Sequence, residues 1–348
     1  MIEREQLKFP SILFQFLDGF FEQEPDQERF RQTLNNLCVT EEEFRDPAYS
    51  FNGKQIFRML EMLRNTSVDE PAAFRVLQHL SISNLGMAGI AGLTAVSLKE
   101  AVMIALKVYP YFMPAVEFSG RYSGDDYRLE ATLLTDFGES NGVLMEIILG
   151  AMKQLAEEAI GKRMDATITL AHTPAFGSDK SSTKALYETQ LGCTVAFDAD
   201  VNALILPKAY LDTRLKRQNP IMHTYAQDVL EKELAYHNAA APLTLKVRGV
   251  LQDAMNSGIS PSLESVADTL HMSPRTLSRK LAKENTHYKT LLNEVRFEQA
   301  KSLLKQTDIS IKQLAARLGF ASGDAFTRAF KSFTGDTPNQ WRSRLGRK

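Results

Sequence analysis

Cysteine is nearly absent from this 348-residue chain, which has only Cys38 and Cys193. Two distant cysteines supply neither a CxxC pair nor a structural zinc site, so two reduced thiols are expected. Long apolar runs are missing too. The apolar stretch Leu85 to Leu98 falls short of the ~20 residues a membrane helix needs. Gly86, Gly89 and Gly92 interrupt it and Lys99 ends it, so no membrane partner is expected. The first residues mix Glu3 and Glu5 with Arg4 and Lys8, unlike the positive start of a secretory signal, and the chain is expected to work in the cytoplasm. HExxH and paired-acid motifs are lacking, and His79, His172, His223 and His237 share no ligand spacing. No metal, cofactor or enzymatic activity is expected. The three glycines do not spell GxGxxG, and close helix packing explains them better than a phosphate loop.

An excess of either charge is lacking overall, since the net charge is -1. That balance hides a division near Asn238-Ala239-Ala240-Ala241-Pro242, which reads as a linker. Residues 241–348 hold 18 Lys and Arg against 9 Asp and Glu, a net of +9, whereas residues 1–240 carry -10. A basic module joined to an acidic one suggests that one half meets a polyanion and the other does something else.

Within the basic half, Ser262 is placed to cap a short helix whose Val266, Ala267 and Leu270 share a face. Ser273-Pro274 then starts a second helix, with proline at the first position, where its missing N–H costs nothing. Leu277 and Leu281 face a core at i, i+4, while Arg275, Ser278 and Arg279 form the opposite face. A short helix, a tight turn and a second helix bearing outward Arg and Ser is the pattern of a helix-turn-helix, whose second helix offers donors to base edges in the major groove.

The pattern recurs near fifty residues later. Ile311, Leu314, Ala315 and Leu318 mark a first helix, Gly319 a turn, and Ser322 the cap of a second helix. Phe326 and Phe330 replace the two leucines, and Asp324, Thr327 and Arg328 point outward. Phe320, Phe333 and Trp341 are read as further core aromatics. Between the units, Tyr288, Leu291, Leu292, Val295, Gln299 and Leu303 follow helical spacing over a connector of ~27 Å. Such a helix plus its flanking turns matches the ~34 Å between successive major-groove segments on one face of DNA, with or without bending the duplex.

The stretch from Ser265 to Arg342 resembles the DNA-binding domain of AraC/XylS-type regulators. The resemblance rests on Met272-Ser273-Pro274-Arg275-Thr276-Leu277-Ser278-Arg279-Lys280-Leu281, on Arg296, Ala300 and Leu303-Leu304, and on Leu318-Gly319-Phe320. It continues through Ala325-Phe326-Thr327-Arg328-Ala329-Phe330-Lys331, Thr334-Gly335, Pro338 and Trp341-Arg342. It implies double-stranded DNA as a partner, base readout by Arg275, Ser278 and Arg279, and readout in the second unit by Gly323, Asp324, Thr327 and Arg328. Thr276, Lys280, Lys283, Lys331 and Arg342 are the expected phosphate contacts. Three features depart from the pattern. His271 stands where the first turn often has Gly, Gly323 has no side chain to read a base, and Asp324 suits a helix N-terminus better than a phosphate.

The acidic half mixes helical spacing, over Ser97–Val108 and Asn141–Ile160, with strand-like runs at Tyr127–Leu134, Ala166–Leu170, Thr194–Phe197 and Ala203–Leu206. An α+β effector domain is expected, followed by an all-α DNA-binding domain of two helix-turn-helix units joined by a long helix. Leu85 to Thr94 followed by Ser97 to Ala101 resembles the effector region of an AraC-type subgroup whose domain carries an arabinose-binding label, which does not identify the ligand. Tyr109 and Tyr111, with Arg121 and Tyr122 nearby, are read either as plain core and surface or as a candidate lining for an effector pocket with one cation for a carboxylate.

The expected division is an effector domain over 1–206, connecting helices and a linker over 207–241 and the DNA-binding domain over 242–348. The resemblance also implies dimer contacts from the connecting helices, a weak homodimer and RNA polymerase as a partner. The function expected is a sequence-specific transcription regulator, an activator by preference, controlled by an unidentified small-molecule effector. The alternatives are a ligand-independent architectural DNA binder and a DNA-repair enzyme, for which neither cysteine has a suitable neighbour.

Overall fold

The computed structural model describes residues 4–14, 26–46, 48–66, 70–174, 180–240, 243–256, 258–284, 286–306 and 309–344. The chain divides into two compact units, Met1–Ala235 and Tyr236–Lys348.

In the first unit, helices α1 (Asp26–Leu37), α2 (Glu41–Arg45), α3 (Gly53–Thr66), α4 (Ala72–Leu77) and α5 (Gly86–Thr94) precede the longer α6 (Leu98–Phe112). Strands β1 (Lys8–Pro10) and β2 (Ser50–Asn52) form a small antiparallel pair. A larger sheet has the order β3-β4-β7-β5-β6, built from β3 (Val116–Ser123), β4 (Asp126–Leu133), β5 (Thr167–Thr169), β6 (Thr194–Ala196) and β7 (Asn202–Pro207). Helix α7 (Asn141–Ile160) separates β4 from β5. Helix α8 (Lys180–Leu191) lies on the crossover between β5 and β6, the parallel pair of this sheet, since parallel neighbours need a long connection.

The α+β reading holds, and the expected strands and both expected helices appear. Strand β3, an edge of the sheet with much of its length facing solvent, went unforeseen although Val116, Phe118 and Tyr122 alternate with polar residues. Helix α6 starts where Ser97 Oγ accepts from the Glu100 amide and continues through Pro110, so the aromatic stretch at Tyr109–Phe112 is its last turn. Helix α7 stops at Gly161, whose φ of 68° is the left-handed conformation glycine adopts cheaply.

Helices α5, α6 and α7 share a core through residues such as Ala91, Ile104, Val108 and Ala159. Their glycines differ in purpose. A Cβ on Gly89 would lie 2.0 Å from the Ile82 carbonyl oxygen, so this residue permits a close backbone approach, whereas one on Gly92 would meet nothing within 4 Å.

Residues 207–241, read as connectors, mostly belong to the first unit. Leu211 is buried, and Leu215 joins its core with Ala226, Leu230 and Leu234 on α9 (Pro220–Ala240). Asn238 to Ala240, expected as linker, continue α9, while Ala241 and Pro242 lie outside the described residues.

The second unit is helical: α10 (Leu243–Asn256), α11 (Leu263–Thr269), α12 (Pro274–Lys283), α13 (Tyr288–Gln306), α14 (Ile311–Arg317), α15 (Gly323–Thr334) and α16 (Pro338–Arg344). It has two cores strung on one helix. Leu291 and Val295 of α13 pack with α10, α11 and α12, while Phe297, Ala300 and Leu304, further along α13, pack with α14 and α15. Arg248 of α10 is buried against Glu294 and Glu298 of α13, fastening the first core to the connector. Among the described residues no helix is long and apolar enough to cross a membrane.

Candidate nucleic-acid interface and ligand cavity

Each helix-turn-helix begins with the same local device. Ser262 Oγ accepts from the Ser265 amide at 3.1 Å and Ser265 Oγ accepts from the Ser262 amide at 3.0 Å. In the second unit Ser310 Oγ accepts from the Gln313 amide and Gln313 Oε1 from the Ser310 amide, both at 3.2 Å. These reciprocal bonds satisfy amides that a helix start leaves without intrahelical partners. The second helices have serine caps as well. Ser273 Oγ accepts from the Thr276 amide at 3.2 Å, and Ser322 Oγ accepts from the Ala325 amide at 3.1 Å.

The turns between paired helices need a left-handed residue. Gly319 supplies it at φ 74°, and His271 supplies it at φ 52° despite its side chain. The departure noted at His271 therefore leaves the turn intact and places backbone strain there instead.

On α12, Leu277 and Leu281 are fully buried and Arg275, Ser278, Arg279, Lys280 and Lys283 are exposed. Helical periodicity thus separates two guanidinium groups and a hydroxyl from the core, as the spacing predicted. Thr276 is half-buried and its hydroxyl shares a 2.9 Å hydrogen bond with Ser273 Oγ, so it serves the cap.

On α15, Phe326 and Phe330 are fully buried, while Asp324, Arg328 and Lys331 are exposed. Two positions depart from an outward reading face. Gly323 is half-buried close to Lys312 of α14, and Thr327 is half-buried with its hydroxyl donating to the Gly323 carbonyl at 2.8 Å. Arg342, expected on phosphate, is half-buried and donates from Nη2 to the Ile309 carbonyl. Phe333, expected in the core, is 45% exposed and packs beside Phe297 at 4.7 Å between ring centroids.

Two supporting residues were given no role by the sequence reading, although Arg296 is among those that carry the resemblance. Arg296 of α13 donates to Ser260 Oγ at 2.8 Å and sits 5.0 Å from the centre of the Phe320 ring. Glu284, just after α12, accepts from the Leu243 and Thr244 amides at 2.8 Å each and from the Thr244 hydroxyl at 2.7 Å. It therefore caps α10 from forty residues away. Burial opposes the charge on Glu284, but the Thr244 hydroxyl, the two amides and Lys246 outweigh it and hold the carboxyl below its ordinary value.

In the first unit the four expected effector residues do not converge. Arg121 of β3 donates to Glu130 at 2.6 Å, and Arg128, its cross-strand neighbour, donates to the same buried carboxylate at 2.8 Å. Glu130 thus occupies the cation expected to meet an effector carboxylate. Tyr122 is mostly exposed and lies edge-on to Tyr127 at 5.3 Å. Tyr111 packs on the core cluster, where burial, then Glu233, pushes its hydroxyl up to about 12. Of the four, only Tyr109 lines the cavity of this unit.

That cavity has a volume of about 230 Å³ and lies among α3, α5, α6, α7, β4 and β7. Its signal in the sequence was the apolar character of α5, α6 and α7 on nearly every side, which marks buried helices without revealing a gap between them.

A buried cluster elsewhere in this unit also escaped the sequence reading. Glu146 of α7 accepts from the Tyr187 hydroxyl at 3.0 Å and lies 2.8 Å from His172 Nε2. Among the described residues, no group of three or more His, Cys, Asp or Glu is arranged to hold a metal.

Comparison with known proteins gives the same two-part division. Residues 29–215 match the family described as the arabinose-binding domain of AraC transcription regulator, N-terminal, and residues 266–344 match a helix-turn-helix domain family. The ornithine utilization regulator of Pseudomonas aeruginosa is 27% identical over 288 residues, covering 82% of this chain and 83% of that protein. VirS of Mycobacterium tuberculosis is 30% identical over 169 residues, 49% of each chain. The crystal structure of the transcriptional regulator CdpR from Pseudomonas aeruginosa is 21% identical, covers 92% of this chain and 98% of that one, and aligns with a TM-score of 0.44. The N-terminal match alone spans more than half the chain, and with tandem helix-turn-helix units behind it the protein belongs to the AraC family of DNA-binding transcription regulators.

Proposed function

We propose that this regulator reads a specific DNA site mainly through Arg275 and Arg279, with Ser278 beside them. The observation that carries the reading is the division of α12 into a buried Leu277–Leu281 face and an exposed face bearing both arginines. Each guanidinium can donate two parallel hydrogen bonds to guanine O6 and N7. The second unit contributes Arg328 and Asp324 to readout, with Gly323 and Thr327 allowing close approach. Lys280, Lys283 and Lys331 neutralise phosphates, which hold register without reading sequence. At ~1.5 Å per residue the 19 residues of α13 span ~28 Å, a separation suited to two successive major-groove segments.

The first unit binds a small-molecule effector, and occupancy shifts the DNA grip through differential affinity for two states of the regulator. Activation through RNA polymerase and a weak homodimer complete the reading, both by analogy with the family. Selection of duplex sites from random DNA at physiological salt, followed by footprinting, tests the core of it. A single recovered motif whose footprint disappears with Arg275→Ala and Arg279→Ala is the expected result. An unchanged footprint, or a steep salt dependence with no recovered motif, sinks it and favours an architectural binder.

A further inference from the structure

The cavity of the first unit is built for hydrocarbon. Among its described lining residues none is charged, and the only side-chain hydroxyls are those of Tyr109 and Tyr127. Tyr127 directs its hydroxyl across to the neighbouring strand, where it lies 1.9 Å from the position a Cβ on Gly120 would take. That leaves Tyr109 as the hydroxyl available at the wall. It has no hydrogen-bond partner among the described residues, and desolvation raises its pKa well above the ordinary tyrosine value. Met59, Met113 and Met152 also line the space, and their unbranched side chains adapt readily to the shape of an apolar guest.

These walls are wrong for a sugar or a charged amino acid. Each hydroxyl of a sugar must keep a hydrogen-bond partner when it leaves water, and an ionised group needs a counter-charge. The cations flanking the aromatic stretch are both taken: Lys107 is held by Glu231 and Arg121 by Glu130, and neither lines the cavity. Size narrows the choice further. A cavity of ~150 Å³ accommodates benzene, with six carbons, so one of about 230 Å³ suits roughly nine.

We propose that this cavity is the effector site and takes an uncharged, largely hydrocarbon molecule of about nine carbons bearing one hydroxyl or carbonyl oxygen, which pairs with the Tyr109 hydroxyl. The assignment deepens the effector reading above and rests on it for the link to DNA. Helix α6 carries Tyr109 and many of the wall residues, and it packs on α5 and α9, so a guest braces the helices that meet in this core.

Calorimetric titration of the full chain with nonan-1-ol and, separately, with L-arabinose tests the proposal. Saturable one-site binding of nonan-1-ol with a negative heat-capacity change is expected, with no saturable binding of L-arabinose. Gly92→Leu puts side-chain volume into open space at the cavity wall and is expected to abolish nonan-1-ol binding while helical content and affinity for the selected DNA site persist. Tyr109→Phe, which removes one oxygen only, is expected to weaken binding about tenfold. Absence of nonan-1-ol binding to a folded, DNA-competent chain overturns the assignment, as does saturable L-arabinose binding lost in Gly92→Leu. If nonan-1-ol binds as expected and DNA affinity does not change, the ligand assignment stands and the effector reading fails.

Discussion

His271 and Gly319 occupy the same place in the two helix-turn-helix turns, at φ 52° and 74°, but only Gly319 is hemmed in. A Cβ on Gly319 would lie 2.4 Å from Ser260 Oγ and 3.1 Å from Arg296 Nη2, whereas His271 is exposed. Removing the left-handed strain at His271 is worth ~1–2 kcal/mol, partly offset by ~0.5–1 kcal/mol of glycine chain entropy. His271→Gly is expected to raise stability by up to about 1 kcal/mol in urea melts. Gly319→Ala is expected to lower it by more than that, because both strain and contact act against it.

The exposed faces of α12 and α15 are unequal, and DNA titrations should register this. Arg275→Ala and Arg279→Ala are each expected to cost ~1–3 kcal/mol at a selected site and relax preference for one base pair. Arg328→Ala is expected to cost less than either. Lys280→Ala is expected to weaken specific and random DNA alike and reduce the salt slope by about one. Arg342→Ala should behave differently, since Arg342 serves the Ile309 carbonyl. Its expected effect is a loss of ~1–3 kcal/mol in folding stability with the salt slope unchanged.

Glu284 links the end of α12 to the start of α10, which gives the second unit an acid-sensitive joint. Its carboxyl is lowered from 4.5, so its contribution is complete above the unfolded value and is lost as the pH falls through the lower folded value. Glu284→Gln is expected to destabilise the protein by about 1 kcal/mol at pH 7, the scale of a lost N-cap. Melts between pH 7 and pH 3 should show the difference from the parent shrinking toward the acid end.

Gly89 and Gly92 lie on one short helix and respond oppositely. Gly89→Ala forces a Cβ against the Ile82 carbonyl and is expected to destabilise by more than 1 kcal/mol, the scale of overpacking a tight core. Gly92→Ala meets no neighbour and is expected to stabilise by ~0.5–1 kcal/mol through lower unfolded-chain entropy. Thermal melts of the two variants check both signs.

Much of the second unit was legible because its signals are local. Serine caps, a proline at the helix start, and Leu277 with Leu281 or Phe326 with Phe330 at i, i+4 all act within a turn or two of chain. Their repetition near fifty residues apart made the architecture readable, and the family resemblance pointed to the same faces. What stayed hidden was whether a polar side chain on the outward arc had a nearer partner. Thr327 bonds Gly323 and Thr276 bonds Ser273 within one turn of their own helices, while Arg342 bonds Ile309 from thirty-three residues away, a choice no periodicity carries.

The first unit shows the converse. Its α+β character, its two longest helices before residue 200 and most strands of its larger sheet follow from apolar patterning, which the sequence determines directly. Its cavity does not, because a gap of about 230 Å³ is what remains when helices and strands distant in sequence pack without filling the space between them. Likewise, Arg121 looked free in the sequence because its partner Glu130 is set by register across two strands. Helix starts, buried faces and charge division belong to the sequence alone. Which charges pair and what the interior can hold were decided by tertiary packing, where the competing partners are first brought within reach.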